Sequence, residues 1–265
     1  MLDAERVRSL VRAALDEDLG RGDLTTDVIV PESARARGEL VAKQELIVAG
    51  MDVARAAFQA LDPVVKWEPE AREGDRFFPG TVMGAVAGRA RALLTAERVA
   101  LNFLQRMCGI ATLTRRFVDA VEGTRARIRD TRKTTPLLRL LEKHSVEVGG
   151  GVPHRPGLDA AILVKENHIR IVAGAGGLEV EVEVERVDQI DEAIRAGAHM
   201  VLVDNFTPDE VCVAVELVAG RVPLEVSGGV RLDNVRAYAE AGPDYIAVGA
   251  LTHSAPAADI SLEID

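Results

Sequence analysis

Short apolar runs alternate with helical stripes through the second half of the chain. Segments 126–130, 161–164, 178–184, 200–203, 224–226 and 245–248 have the length and β-branched content of buried strands. Between them, apolar positions three and four apart predict helices over 136–148, 187–196, 208–219 and 232–241. Gly197, Gly220 and Gly242 stand just past three of these, where helix C-caps are expected. Strands recurring about every twenty residues with helices between them are βα units, which build a parallel sheet. Six strands are visible, so the barrel they suggest is either incomplete or needs a seventh. One stretch breaks the rhythm: E-N-H-I-R-I-V-A-G-A-G-G, after Lys165, is too short and glycine-rich for a full crossover helix.

The first half is patterned differently. Val7, Leu10, Val11, Ala14 and Leu15 form one helical stripe over residues 3–15. The following D-E-D-L-G-R-G-D-L-T-T-D reads as loop, with Asp23 or Thr25 as a cap. Strands are expected at 38–43, 45–49 and 64–68, a helix at 50–61, and short glycine- and proline-punctuated β segments over 73–88. No lysine sits at the tip of that last turn, which argues against a biotin or lipoyl carrier. A long helix is expected over 94–121, with Thr95 as N-cap and Leu101, Leu104, Cys108, Leu113 and Phe117 on its buried side. Arg98 would then lie near the helix start, where the dipole favours anions; a surface arginine is the alternative.

The residues following each expected strand of the second half change the picture from fold to chemistry. Arg132-Lys133 follow the first and Lys165-Glu166 the second. Glu183 and Glu185 close the third, Asp204-Asn205 the fourth, Ser227-Gly228-Gly229 the fifth and Gly249 the sixth. Parallel α/β barrels carry their chemistry at the C-terminal ends of strands, and their phosphate sites in the last βα loops. S-G-G-V-R and V-G-A-L suit that second role.

Charge sharpens this. The chain is acidic, with formal net charge -10, yet Arg129, Arg132, Lys133, His154, Arg155, Lys165 and His168 gather in one stretch beside glycines and strand ends. Grouped cations cost several kcal/mol each to desolvate unless anions compensate, so the stretch reads as an anion-binding site. No basic stripe extends over a face, which argues against nucleic acid. The two cysteines fit a reducing cytosol, and no apolar run is long enough to cross a bilayer. A soluble cytoplasmic enzyme is expected.

In order, R-D-T-R-K-T-T-P, G-G-G-V-P-H-R, L-V-K-E-N-H, E-V-E-V-E, V-D-N-F, E-V-S-G-G and V-G-A-L-T-H-S closely resemble the quinolinate phosphoribosyltransferase family. The likeness runs from E-D-L-G-R-G-D-L-T-T through A-E-R-V-A-L-N-F-L-Q-R to the final S-L-E-I. Two departures are visible: the segment after L-V-K-E-N-H is shorter than usual, and Glu166 stands where aspartate is common.

The resemblance implies an N-terminal α/β sandwich over 1–107, with 256–265 as a candidate return strand, and an open α/β barrel of the type II phosphoribosyltransferase kind over 108–255. It implies phosphoribosyl transfer to quinolinate with decarboxylation, giving nicotinate mononucleotide, pyrophosphate and carbon dioxide. Arg132, Lys133, His154, Arg155 and Lys165 would surround quinolinate. Glu183, Asp204, Ser227, Gly228, Gly229, Gly249 and His253 would face phosphoribosyl pyrophosphate. Glu183 and Asp204 would hold Mg2+, directly or through water. Lys133, Lys165, Glu183 and Asp204 would be the catalytic set, with either lysine protonating the carbanion left by carbon dioxide. Arg98 would be donated across the interface of a homodimer, or of a multiple of dimers with shared sites.

Arginine forks suit a pyridine carrying two carboxylates better than lysine alone. A Schiff-base lysine would leave the arginines unused. A nicotinate phosphoribosyltransferase that does not decarboxylate would not need so many, and an anion-binding paralogue without activity would not need Glu183 and Asp204. His144 and His199 are expected to be structural.

Overall fold

The computed structural model describes residues 2–159, 162–164 and 179–265. Lys165, Glu166 and His168, and the short segment that breaks the βα rhythm, lie outside the described residues. Two units are present, Met1–Thr112 with Ala255–Asp265, and Leu113–Ser254.

The first unit is built on an antiparallel sheet ordered β12-β1-β5-β3, where β1 is Arg35–Ala42, β3 Lys66–Pro69, β5 Val82–Arg89 and β12 Ile260–Ile264. β2 (Leu46–Ile47) pairs with β4 (Arg76–Phe77) beside it. The helix α1 (Ala4–Leu19) buries Val7, Val11 and Leu15 and packs against α3 (Met51–Leu61), which buries Val53, Ala54, Ala57 and Phe58. Phe58 in turn meets the Trp67 ring at 6.2 Å between centroids.

Two expectations fail here for local reasons. The acidic run after residue 15 does not leave the helix: α1 continues to Leu19, and only Gly20–Asp23 separate it from α2 (Leu24–Ile29). Asp23 does cap that helix, accepting the Thr26 N–H at 3.0 Å. Nor is Thr95 an N-cap. β5 passes directly into α4 (Ala90–Ala120), so Thr95 lies inside the helix and its hydroxyl donates to Asp23 at 3.0 Å. Arg98 is therefore about 12 Å along the axis from the helix start. The dipole acts within the first turn, so that reason for an anion at Arg98 falls away.

The second unit is a parallel sheet ordered β6-β11-β10-β9-β8-β7. Its strands are β6 (Arg127–Arg129), β7 (Ile162–Val164), β8 (Val180–Val184), β9 (Met200–Asp204), β10 (Leu224–Ser227) and β11 (Tyr245–Ala247). The last strand pairs with the first, Tyr245 opposite Arg127, as closure into a barrel requires. The missing seventh strand is one residue long: Val152 bridges Arg129 in parallel, and its N–H donates to the Ile128 carbonyl at 2.8 Å. Among the described residues Val152 and β7 are not paired, so the barrel is open there.

Helices α5 (Arg139–Val148), α6 (Ile190–Arg195), α7 (Pro208–Val218), α8 (Val235–Glu240) and α9 (Ala250–His253) follow the bridges and strands of this unit. α7 begins with a full capping box between Thr207 and Glu210. α5 starts three residues later than the pattern predicts, because Thr135–Leu138 form a turn, closed by the Leu138 N–H donating to the Thr135 carbonyl at 3.1 Å, with Leu137 at φ 67. Gly197, Gly220 and Gly242 take positive φ just past α6, α7 and α8, as a C-terminal cap demands. On β8, Val180, Val182 and Val184 are buried on one face, which leaves Glu181 and Glu183 together on the other.

Candidate active site

The parallel register puts the predicted polar residues at one end of the sheet. Asp130 to Lys133 follow β6, and His154-Arg155 follow the Val152 bridge. Glu183 is the penultimate residue of β8, Asp204 ends β9, Ser227 ends β10, and Gly249 lies two residues past β11. Glu183 lies opposite Leu202, so Asp204 is one same-face step further along the adjacent strand. Asp204 in turn pairs with Ser227.

Three local groupings stand out. At the end of β11, a Cβ on Gly249 would meet His253 Nε2 at 3.1 Å and Lys133 Cδ at 3.4 Å, and the Thr252 hydroxyl donates to the Lys133 carbonyl at 2.8 Å. The predicted Lys133, Gly249 and His253 are thus one cluster. Between β9 and β10, Asn205 donates its backbone N–H to the Ser227 carbonyl at 2.8 Å and its side-chain N–H to Asp204 at 2.8 Å. Gly228, at φ 92, lies against Asn205 so closely that a Cβ would sit 2.7 Å from Asn205 Cγ, so only glycine fits. Ser227, Gly228, Asp204 and Asn205 form the second grouping, with Gly229 bound through its carbonyl to Asn234 at 3.1 Å.

The third grouping holds the cations. Arg132 and Arg155 are close enough that Arg155's proton affinity falls, first through burial and second through Arg132's charge. Arg132 Nε is buried without a partner, and among the described residues neither Arg132 nor Lys133 forms an ion pair. The loop carrying His154 is clamped from below. Asp130, fully buried, accepts the His154 N–H at 2.6 Å and the Lys143 ammonium at 2.6 Å, while Lys143 also donates to the His154 carbonyl at 2.9 Å. Burial lowers Lys143's proton affinity, and Asp130 works against that. Arg98 is exposed on α4 in the other unit. His199 is structural as expected, accepting the Val180 N–H on Nδ1 at 3.2 Å.

Beneath the strand ends is a charged layer that the pattern of strand ends does not disclose. His154 Nε2 lies 3.0 Å from Glu181 and 3.8 Å from Glu225, on β8 and β10. Arg129, on β6, pairs with Glu225 and stacks over the Tyr245 ring at 4.6 Å. Glu225 is pushed up to about 7, chiefly by burial and then by Glu181's charge, against the pull of Arg129 and His154. A readable signal existed: Glu181 shares a period-two face with Glu183, and Glu225 with Ser227.

His154, Glu181 and Glu225 are also the trio among the described residues whose ligand atoms have metal-binding spacing, all within 4.8 Å. Arg129 already satisfies one Glu225 oxygen and Glu181's charge supports Arg155, so the trio is compensated without an ion. Glu183 and Asp204 offer hard carboxylate oxygens on neighbouring strands, a donor set that suits Mg2+ with several retained waters. None of the described helices is long and apolar enough to cross a membrane.

Comparison with known proteins agrees with this arrangement. The chain matches the quinolinate phosphoribosyl transferase N-terminal domain over residues 23–108 and the C-terminal domain over 110–263. It is 42% identical to the nicotinate-nucleotide pyrophosphorylase [carboxylating] of Mycobacterium leprae, over 98% of both chains. It is 37% identical to quinolinate phosphoribosyltransferase [decarboxylating] 1b of Nicotiana tabacum, covering 98% of this chain and 82% of that one. The solved nicotinate-nucleotide pyrophosphorylase of Francisella tularensis superposes with a TM-score of 0.96 at 35% identity, over 100% of this chain and 98% of the other. The antiparallel unit, the open parallel barrel and the motifs at its strand ends are those of one family, and the chain belongs to the quinolinate phosphoribosyltransferases.

Proposed function

We propose that this chain transfers the phosphoribosyl group of phosphoribosyl pyrophosphate to the ring nitrogen of quinolinate and releases the 2-carboxylate as carbon dioxide. The products are nicotinate mononucleotide and pyrophosphate. One observation carries the reading: Arg132, Lys133, His154 and Arg155 follow two adjoining strand ends of a sheet whose same end bears Glu183 and Asp204 on β8 and β9. Two arginine forks match two adjacent carboxylates. Membership of the family supports the same reaction.

The pyridine nitrogen is the nucleophile, so no protein nucleophile is needed. As it attacks the anomeric carbon, the bond to pyrophosphate breaks and positive charge develops on the ribose. Glu183 and Asp204 stabilise that charge, and Ser227 to Gly229, Gly249 and His253 bind the phosphate groups. Mg2+ bound with the second substrate would neutralise charge on the departing pyrophosphate, and Glu183 and Asp204 are the residues to hold it. Loss of carbon dioxide leaves an electron pair on the ring carbon beside the new pyridinium nitrogen. A lysine then supplies the proton that takes its place. Lys133, exposed beside Gly249 and His253, is the described lysine at hand, and Lys165 is the other candidate.

The enzyme is read as a homodimer or a multiple of dimers in which Arg98 completes the partner's site. Exposed apolar side chains in the same unit, Leu24, Val28 and Ile29 on α2 and Leu94 on α4, support a subunit contact. Free thiols at Cys108 and Cys212 suit a reducing cytoplasm. The test is stoichiometric: with quinolinate, phosphoribosyl pyrophosphate and Mg2+, one carbon dioxide should appear per nicotinate mononucleotide. Comparable turnover of nicotinate in place of quinolinate would sink the decarboxylating assignment.

A further inference from the structure

The layer below the strand ends is used by no step above, yet its side chains converge on one ring. His154 is 10% exposed, and four residues fix it. Its backbone is tied at N–H and C=O by Asp130 and Lys143. Its Nε2 meets the Glu181 carboxylate at 3.0 Å, with Glu225 behind at 3.8 Å. A nitrogen facing two carboxylate oxygens carries a hydrogen, because a bare lone pair there would be repelled. That leaves Nδ1, which is buried and has no partner among the described residues. A buried polar atom without a partner costs stability unless something else meets it. Arg155, one of the cations expected to grip the substrate carboxylates, follows this ring in sequence, and Arg132 lies close to Arg155.

We propose that Glu181 is a positioning residue for His154: by accepting from Nε2 it fixes the ring with Nδ1 toward the site, where Nδ1 takes up a solvent proton as the pyridine dicarboxylate binds and donates to one of its carboxylates. Glu225 backs the contact and is itself held by Arg129, whose guanidinium is stacked on Tyr245. A carboxylate on one ring nitrogen fixes the ring's orientation and stabilises the cation formed when the other nitrogen gains a proton. Charge explains why an ion is not the tenant. Two carboxylates already face Arg129, Arg155 and His154, so their charge is offset without a divalent cation.

The inference rests on the quinolinate reading, so the test separates the two. With only five histidines, the imidazole nitrogens can be followed by long-range proton–nitrogen spectra of labelled protein without substrate, His154→Asn supplying the assignment. In the wild type the His154 hydrogen should reside on Nε2. In Glu181→Gln, whose amide can donate as well as accept, it should redistribute toward Nδ1. Kinetically, the KM for quinolinate should rise about tenfold, while that for phosphoribosyl pyrophosphate stays within about twofold. If Glu181→Gln fails to fold, Glu181→Asp withdraws the carboxylate while keeping its charge and should produce the same selective rise. An unchanged His154 spectrum in the folded variant overturns the proposal. So does an equal rise in both KM values, which marks a merely structural residue. Failure of the wild type to release carbon dioxide would sink the reaction and leave the spectral result standing.

Discussion

Lys143→Met is the perturbation with the most to say about how the anion site is held. The ammonium is 9% exposed and pairs at 2.6 Å with Asp130, which is 0% exposed. It also donates at 2.9 Å to the His154 carbonyl. Methionine keeps most of the buried stem, so the apolar contribution changes little. What is lost is one partner of a buried ion pair, which leaves the other charge uncompensated. Such losses cost about 3 to 5 kcal/mol. For a chain of this size that corresponds to roughly 6–20 °C in melting temperature. Asp130→Asn on top of Lys143→Met removes the stranded charge while keeping an oxygen for the His154 N–H, so the double variant should recover roughly half the loss. Scanning calorimetry and urea titration of the four proteins measure both quantities. A cost below about 1 kcal/mol for Lys143→Met would refute the argument. A double variant no more stable than the single one would refute it too.

The buried acid gives a pH test. Folded Glu225 keeps its proton to about pH 7 against an ordinary value of 4.5. The unfolded chain therefore binds fewer protons across that window, and stability should fall as pH rises, by about 3 kcal/mol in all. Glu225→Gln should flatten that slope in melts between pH 4.5 and 7.5; an identical slope would exclude Glu225 as its source. Glu183→Ala and Asp204→Ala should damage use of phosphoribosyl pyrophosphate more than quinolinate binding, and unchanged kinetics would remove both residues from the site. Arg98→Ala should cost roughly 2 to 5 kcal/mol of substrate binding if it meets a desolvated carboxylate. Mixing inactive Arg98→Ala and Lys133→Ala subunits should restore activity in part, since one of the two mixed sites receives neither defect. No rescue after verified exchange would return Arg98 to an ordinary surface cation.

The barrel was legible because its signals are local and repeated. Gly197, Gly220 and Gly242 close three of the helices, and β6, β9 and β10 end in polar residues. Val152 escaped notice because a strand of one bridged residue has no periodicity to detect. The start of α4 escaped for a different reason. β5 ends at Arg89 and the helix begins at Ala90, with no breaker between them, and Asp62 takes up the Arg89 N–H at 3.0 Å. Serine- or threonine-based capping rules cannot find a junction served by an aspartate 27 residues away. The acidic run of α1 misled in the opposite direction: Asp16 to Leu19 stay helical because the turn is closed further on, by Gly20 donating to the Asp16 carbonyl at 3.2 Å.

The site was legible to one layer only. Reading strand ends found Arg132, Lys133, Asp204, Ser227 and Gly249, but it missed Glu181 and Glu225, one face-step earlier on β8 and β10, and so grouped Arg129 with the anion-binding cations when its partner is Glu225. That difference has an electrostatic meaning. In the lower layer every charge has a protein partner: Arg129 with Glu225, and Glu181 with His154. The charges of this layer are paired before any ligand arrives, which leaves His154 Nδ1 as the ring atom open to one. In the upper layer Arg132 and Lys133 stand without ion pairs among the described residues, and Arg155's burial and its neighbour Arg132 already weaken its hold on a proton. An acidic chain that leaves cations unpaired at one place has arranged for the anion to come from outside. Attraction at that place is strong because the charges beneath it are paired with one another, so the field of Arg132 and Lys133 is not spent on nearby carboxylates. The same division predicts how errors distribute: a change in the upper layer should alter binding with little loss of stability, and a change in the lower layer should alter both.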